Sequence, residues 1–156
     1  MAQITKIVSS SYKETIQIGI DLSKKLRKKN IVAFLGNLGA GKTTLIKGIV
    51  KGLSKENINV NSPTFTYLNI YRADIEIYHF DLYRIKDKNA FFSFGFEEYF
   101  SKDGITLIEW AENILEILPK DTIYIKMNHL DDTHPDEAHL HETHITENKR
   151  EIEISY

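Results

Sequence analysis

A chain of 156 residues with a formal net charge of −2, 42% hydrophobic and 27% charged, has the size and composition of one domain with a buried core. It contains no cysteine, which excludes disulfides and thiolate metal sites. No apolar run approaches the length of a membrane span, and the Met1–Lys6 segment lacks the apolar stretch of a signal peptide, so the chain reads as cytoplasmic with no membrane partner.

In chain order, Gln3–Val8 reads as a first strand. Ser9, Ser10 and Ser11 offer N-caps for a helix running to about Lys29. Ile16, Ile20, Leu22 and Leu26 form its apolar stripe. Lys24, Lys25, Arg27, Lys28 and Lys29 crowd its last turns, where cations suit the helix dipole. Ile31–Leu35 is a short apolar strand. Gly36-Asn37-Leu38-Gly39-Ala40-Gly41-Lys42-Thr43 then matches G-x-x-x-x-G-K-T, and a helix follows from Lys42 to about Lys55. Strand, glycine loop and helix in that order are what a P-loop requires. The glycines let several backbone N–H groups face one anion, and the helix N-terminus adds its own N–H groups. In such a loop Lys42 reaches the β- and γ-phosphates and the Thr43 hydroxyl binds Mg²⁺.

Asn57–Thr66 is a polar connection containing Ser62-Pro63-Thr64-Phe65. Phe65–Tyr71 and Ile75–Tyr83 are β-rich and joined by Arg72-Ala73-Asp74, short enough for a hairpin. Asp87–Tyr99 reads as short helical pieces around Gly95. Ile105–Ile108 is a buried strand ending in Glu109-Trp110, and Ala111–Leu118 is a short helix stopped before Pro119. Thr122–Met127 and Lys149–Ser155 alternate as strands. With no repeat and no linker, the expected architecture is α/β: one P-loop NTPase domain over residues 1–156, with a mixed, partly parallel central sheet flanked by helices.

A triphosphate site needs an acid opposite the P-loop. Two strand ends offer one: Asp81 after Ile75–Phe80, and Glu109 after Ile105–Ile108. Period-two alternation puts Ile105, Leu107 and Glu109 on one face. Each acid has an ordinary reading as a strand-end cap, and the residues alone leave open which one touches a metal. Thr64, in the loop after the P-loop helix, is a candidate γ-phosphate switch. Trp110, the only tryptophan, packs either on a base, on a partner or in the core. Charge is uneven along the chain: residues 1–88 hold fifteen Lys/Arg against seven Asp/Glu, and residues 89–156 hold five against fifteen. A phosphate-binding half and a partner surface explain this equally well.

Gly36–Thr44, Ser62-Pro63-Thr64-Phe65, His79-Phe80-Asp81-Leu82-Tyr83-Arg84 and Ile108-Glu109-Trp110 occur in this order. Together they closely resemble the TsaE family, small bacterial P-loop ATPases of tRNA threonylcarbamoyladenosine biosynthesis. The resemblance runs from about Thr15 to Met127. It departs at Asn37, where the family usually has Asp. It implies a protein that binds ATP and Mg²⁺ and acts with the TsaB–TsaD pair. That pair transfers the threonylcarbamoyl group to adenosine 37 of tRNAs reading ANN codons, so tRNA is met indirectly, through the complex. The resemblance associates Thr43 and Glu109 with Mg²⁺ and makes Asp81 necessary for hydrolysis. It sets Trp110 near the nucleotide and the segment from Tyr12 to Thr15 near the adenine. Gly39, Ala40, Gly41, Lys42, Thr43 and Thr44 complete the expected ATP site, with Lys42 and Asp81 as its catalytic residues.

The resemblance supplies no role for residues 128–148, an acidic, His-rich stretch holding His129, His134, His139, His141 and His144. Its composition favours a solvated loop between two C-terminal strands over a transition-metal site. Two rival functions share the P-loop: a small-molecule kinase, and a module that binds ATP without hydrolysing it. A GTPase is disfavoured, because Asn148-Lys149-Arg150-Glu151 precedes a strand and lacks the Asp of the guanine-reading motif. The chain has only Arg27, Arg72, Arg84 and Arg150. Arg84 alone lies near a motif, as a candidate phosphate or partner contact, so slow turnover that partners speed is expected.

Overall fold

A computed structural model describes residues 3–130 and 149–156. The strands are β1 (Ile4–Ser9), β2 (Ile31–Leu35), β3 (Leu68–Tyr71), β4 (Ile77–Asp81), β5 (Ile105–Glu109), β6 (Ile123–His129) and β7 (Arg150–Ser155). The helices are α1 (Tyr12–Ser23), α2 (Lys42–Leu53) and α3 (Lys88–Ser93), with 3₁₀ stretches at Phe96–Ser101 and Ala111–Ile117. The strands form one sheet in the order β1-β7-β6-β2-β5-β4-β3. The central four, β6-β2-β5-β4, are parallel, and β7, β1 and β3 add antiparallel edges. The expected mixed α/β sheet is therefore the one observed. Its central strands are covered on both faces, which is why Ile31–Leu35 reads as an unbroken apolar run and Ile105–Ile108 is apolar but for the buried Thr106.

On one face Val32, Phe34, Ile77, Ile105 and Leu107 pack with Leu45, Ile46 and Ile49 of α2. On the other, Ile31, Ala33, Phe80 and Ile108 pack with Leu82, Phe91 and Ile114. There the rings of Phe80, Phe91, Phe96 and Tyr99 meet in tilted and edge-on pairs. The helices α1 and α2 cross backbone to backbone. A Cβ on Gly19 would lie 2.5 Å from the Leu45 carbonyl oxygen and 2.8 Å from the Gly48 Cα, and one on Gly48 would collide with the Ile16 carbonyl.

Several boundaries differ from the sequence reading. Ser11 caps α1 by accepting from the Glu14 N–H, while the Glu14 carboxylate accepts from the N–H of Ser10, one residue before the cap. The helix then ends at Ser23 rather than near Lys29. Leu26 folds into the core, the Asn30 side chain accepts from the Arg27 N–H at 2.7 Å, and Lys29 turns to φ 68° and donates to the Gly104 carbonyl. The basic cluster therefore begins at the helix C-cap, Lys24, and runs on through this turn and not through the last turns of the helix. Lys28 pairs instead with Asp103 at 2.9 Å. Phe65–Tyr67 belongs to a turn closed by the Tyr67 N–H on the Pro63 carbonyl, and β3 starts only at Leu68. The short helix expected over Ala111–Leu118 is present as a 3₁₀ stretch, Ala111–Ile117. β6 runs two residues beyond Met127, where His129 pairs in register with Arg150. The histidine-rich loop thus starts later than residue 128, and its remainder, 131–148, lies outside the described residues. Among the described residues no helix is long and apolar enough to cross a membrane.

Candidate active site

The site forms where the parallel strands end. Gly36 leaves β2 at φ 133° so close to β6 that a Cβ would strike the Met127 carbonyl, a position only glycine can hold. Its N–H donates to Glu112 Oε1 at 2.8 Å, which ties the start of the loop to the 3₁₀ stretch after β5. Gly41, at φ 97°, begins α2 without a side-chain cap, leaving the first N–H groups of the helix to face an anion. The Lys42 side chain is buried and folds back over the loop, donating to the Gly36 and Asn37 carbonyl oxygens. Its Nζ lies 3.9 Å from the centroid of the Trp110 ring. Burial pushes the Lys42 ammonium below its ordinary pKa, opposed by the charges of Glu109, Glu112 and Asp81.

Both predicted acids reach this cleft, by the alternation seen in the sequence. Ile105, Leu107 and Glu109 share the face that packs on α2, as do Ile77, His79 and Asp81 on the neighbouring strand. Glu109 is buried and accepts from the Thr43 hydroxyl at 2.9 Å on each oxygen and from His79 Nε2 at 2.8 Å. Asp81, also buried, uses different partners. Its Oδ2 accepts from the Ser62 hydroxyl at 2.5 Å and the Thr64 hydroxyl at 2.8 Å, and its Oδ1 from the Tyr83 N–H at 2.9 Å. Of the two acids, Glu109 is the one that bonds to the threonine of the glycine loop. Thr64, expected as a switch, is held by Asp81.

Trp110 adopts φ 58°, a left-handed turn directly after β5 that brings its indole over Lys42 and within 4.9 Å of the Tyr83 ring. Of its readings, the core one is met in part: Trp110 is half-buried against the apolar cluster of Phe80, Ile108 and Ala111. A cleft of about 330 Å³ opens between Lys42, Thr43, Thr64, Asp81, Glu109 and Trp110, with Gly39 at its rim. A larger groove of about 810 Å³ runs from Tyr12 along Lys47, Lys51 and Lys55 and includes neither acid.

Tyr12 and Thr15, from the first turn of α1, line a small recess of about 50 Å³ with Gly41, Thr44 and Arg150. Ala40 is buried beneath the loop. The Thr15 hydroxyl is buried against the Ser9 hydroxyl at 2.6 Å. Arg150, remote in sequence from every motif, reaches the P-loop because β7 runs antiparallel beside β6. Its Nε lies 3.7 Å from where a Gly41 Cβ would stand. Arg84 is exposed, with its guanidinium 5.3 Å over the Phe65 ring, and does not line the cleft between the acids.

Sequence reasoning missed three residues here. Glu112 holds Gly36, Arg150 flanks Gly41, and His79 binds Glu109. Only His79 carried a signal, its period-two spacing from Asp81 on one strand.

A family profile described as "Threonylcarbamoyl adenosine biosynthesis protein TsaE" matches residues 9–138. A protein of Haemophilus influenzae named tRNA threonylcarbamoyladenosine biosynthesis protein TsaE is 43% identical over 113 residues, covering 71% of each chain. The protein of the same name from Treponema pallidum is 35% identical over 127 residues, covering 81% of this chain and 93% of its own. The crystal structure of Bacillus subtilis YdiB superposes with a TM-score of 0.73 at 28% identity, covering 99% of this chain and 86% of that one. By its profile match and by these relatives, this chain belongs to the TsaE family.

Proposed function

We propose that this chain binds Mg²⁺–ATP at the P-loop and hydrolyses it in support of tRNA threonylcarbamoyladenosine biosynthesis, acting with TsaB and TsaD and meeting tRNA through that complex. The observation that carries this reading is the pairing of the Thr43 hydroxyl with both oxygens of Glu109 at the start of α2. A hydroxyl and carboxylates are hard oxygen donors, the set that suits Mg²⁺, and they fit the ion without sulfur or imidazole contact. Bound Mg²⁺ neutralises charge on the phosphate oxygens.

This chain's own residues do the rest. The Gly39–Thr44 backbone cradles the phosphates, and Lys42 exchanges its carbonyl partners for phosphate oxygens. Asp81, fixed by three donors, orients the attacking water. Trp110 closes the cleft over Lys42 and keeps bulk water from the charged centre. Tyr12, Thr15 and Arg150 flank the far end of the loop, where the nucleoside lies. Among the described residues no arginine lines the cleft between the acids, so the isolated chain turns over slowly and its partners speed it.

Phosphate release measured with and without TsaB and TsaD tests the proposal. Slow release alone, faster release with both partners, and loss of both in Asp81→Ala are expected. ATP binding without hydrolysis under any condition would leave an ATP-dependent binding module, and fast hydrolysis indifferent to the partners would leave a stand-alone ATPase or a kinase.

A further inference from the structure

His79 is fully buried in the middle of the sheet, on a strand whose five residues are all buried. A histidine there must satisfy both ring nitrogens, and it does so between two named partners. Nε2 lies 2.8 Å from Glu109 Oε1, and Nδ1 lies 3.1 Å from the Tyr71 hydroxyl. The Tyr71 oxygen lies 3.3 Å from the Asn61 carbonyl oxygen and accepts from Asn69 Nδ2 at 3.5 Å. A carboxylate only accepts, so the His79 nitrogen facing Glu109 carries a proton. We infer that His79, backed by Tyr71, is a positioning residue that holds the Glu109 carboxylate in register with Thr43 for Mg²⁺, an assignment that rests on the Mg²⁺–ATP reading proposed above.

The geometry explains why such a prop is needed. Glu109 Oε1 receives both His79 and Thr43, whereas Oε2 receives Thr43 alone. When the Thr43 hydroxyl turns toward a cation, both of its bonds to Glu109 are released together. The His79 N–H then keeps the carboxylate from rotating, from a ring that is itself fully excluded from solvent. Carboxylates that ligate metals are themselves held by hydrogen bonds, and losing such an outer-shell partner costs about 10- to 100-fold in metal affinity. The same network passes through Asn61 to Ser62, whose hydroxyl binds Asp81. The two acids are therefore propped from one loop, and Glu109 reaches that loop only through His79 and Tyr71.

A merely structural histidine would lower stability without a preference for Mg²⁺, and the test separates the two. Trp110, the only tryptophan, sits against Lys42 and reports ATP titrations, run with Mg²⁺ and with EDTA. In His79→Leu, the gain in ATP affinity that Mg²⁺ confers is expected to fall about 10-fold or more, with affinity in EDTA unchanged. His79→Gln, which offers an amide N–H toward Glu109, is expected to restore most of it. Equal Mg²⁺ gain in wild type and a folded His79→Leu would overturn the inference. If His79→Leu does not fold, Tyr71→Phe carries the test: a loss of a few-fold confined to the Mg²⁺ titration supports the inference, and no loss overturns it. A wild-type chain whose ATP affinity ignores Mg²⁺ would remove the metal site itself, a result distinct from the loss of His79 alone.

Discussion

Asp81 and Glu109 are register partners at the ends of neighbouring parallel strands, yet separate segments hold their carboxylates. Glu109 is gripped by Thr43 of the P-loop helix, and Asp81 by Ser62 and Thr64 of the loop that follows that helix. Side-by-side placement with separate anchoring predicts separable defects. Glu109→Ala loses the Mg²⁺-dependent part of ATP affinity. Asp81→Asn keeps ATP affinity and loses turnover by about 10²-fold or more. Calorimetric titration with and without Mg²⁺, paired with phosphate release, checks both. Identical losses in the two variants would contradict the division of labour.

The hydroxyls of Ser62 and Thr64 orient Asp81, and on the proposed reading they are expected to act on turnover and not on binding. Ser62→Ala combined with Thr64→Val is expected to slow phosphate release about 10-fold while leaving the ATP dissociation constant within about 2-fold. A proportional loss of ATP affinity would show that this loop holds nucleotide directly.

Among the described residues, Lys42 is the one buried cation facing both acids, and its low exposure leaves no other group to replace it. Lys42→Ala should lose most triphosphate binding, and the emission of Trp110 should stop responding to ATP, since the ammonium against its indole is gone. Wild-type affinity in titration calorimetry would refute this.

The contact between α1 and α2 has no room for side chains at its crossing point. Gly48→Ala forces a methyl group onto the Ile16 carbonyl and should destabilise the fold by about 1 to 3 kcal/mol. Thermal melts would register this as a drop of several degrees. Gly39→Ala meets no atom within 4 Å and tests backbone strain alone, at φ 78°.

Tyr78 provides a pH dependence away from the site. Burial, then the hydrogen bond to Glu76, pushes its phenol up to about 12 from 10.0. The folded state therefore keeps the proton where the unfolded state loses it. Its stabilising effect is complete below pH 10, declines between pH 10 and 12 and is gone above. Urea melts across that range should fall less steeply for Tyr78→Phe than for wild type.

Features that depend on neighbours along the chain are legible in the amino-acid sequence. The P-loop is contiguous from Gly36 to Thr43, because a phosphate cradle is made from successive backbone N–H groups. Asp81 and Glu109 stand out as acids at the ends of strands, and the face each takes follows from strand alternation. The end of α1 is not legible in this way. The periodic pattern continues through Leu26, but the Asn30 side chain and the Gly104 carbonyl, a distant acceptor, supply the bonds that close a turn instead. Only the sheet order brings β7 beside β6, and with it Arg150 to Gly41. Only the pairing of β4 with β5 and β3 sets His79 between Glu109 and Tyr71. Local spacing along one strand determines which residues share a face, but which strands become neighbours is decided by how the whole chain buries its apolar surface.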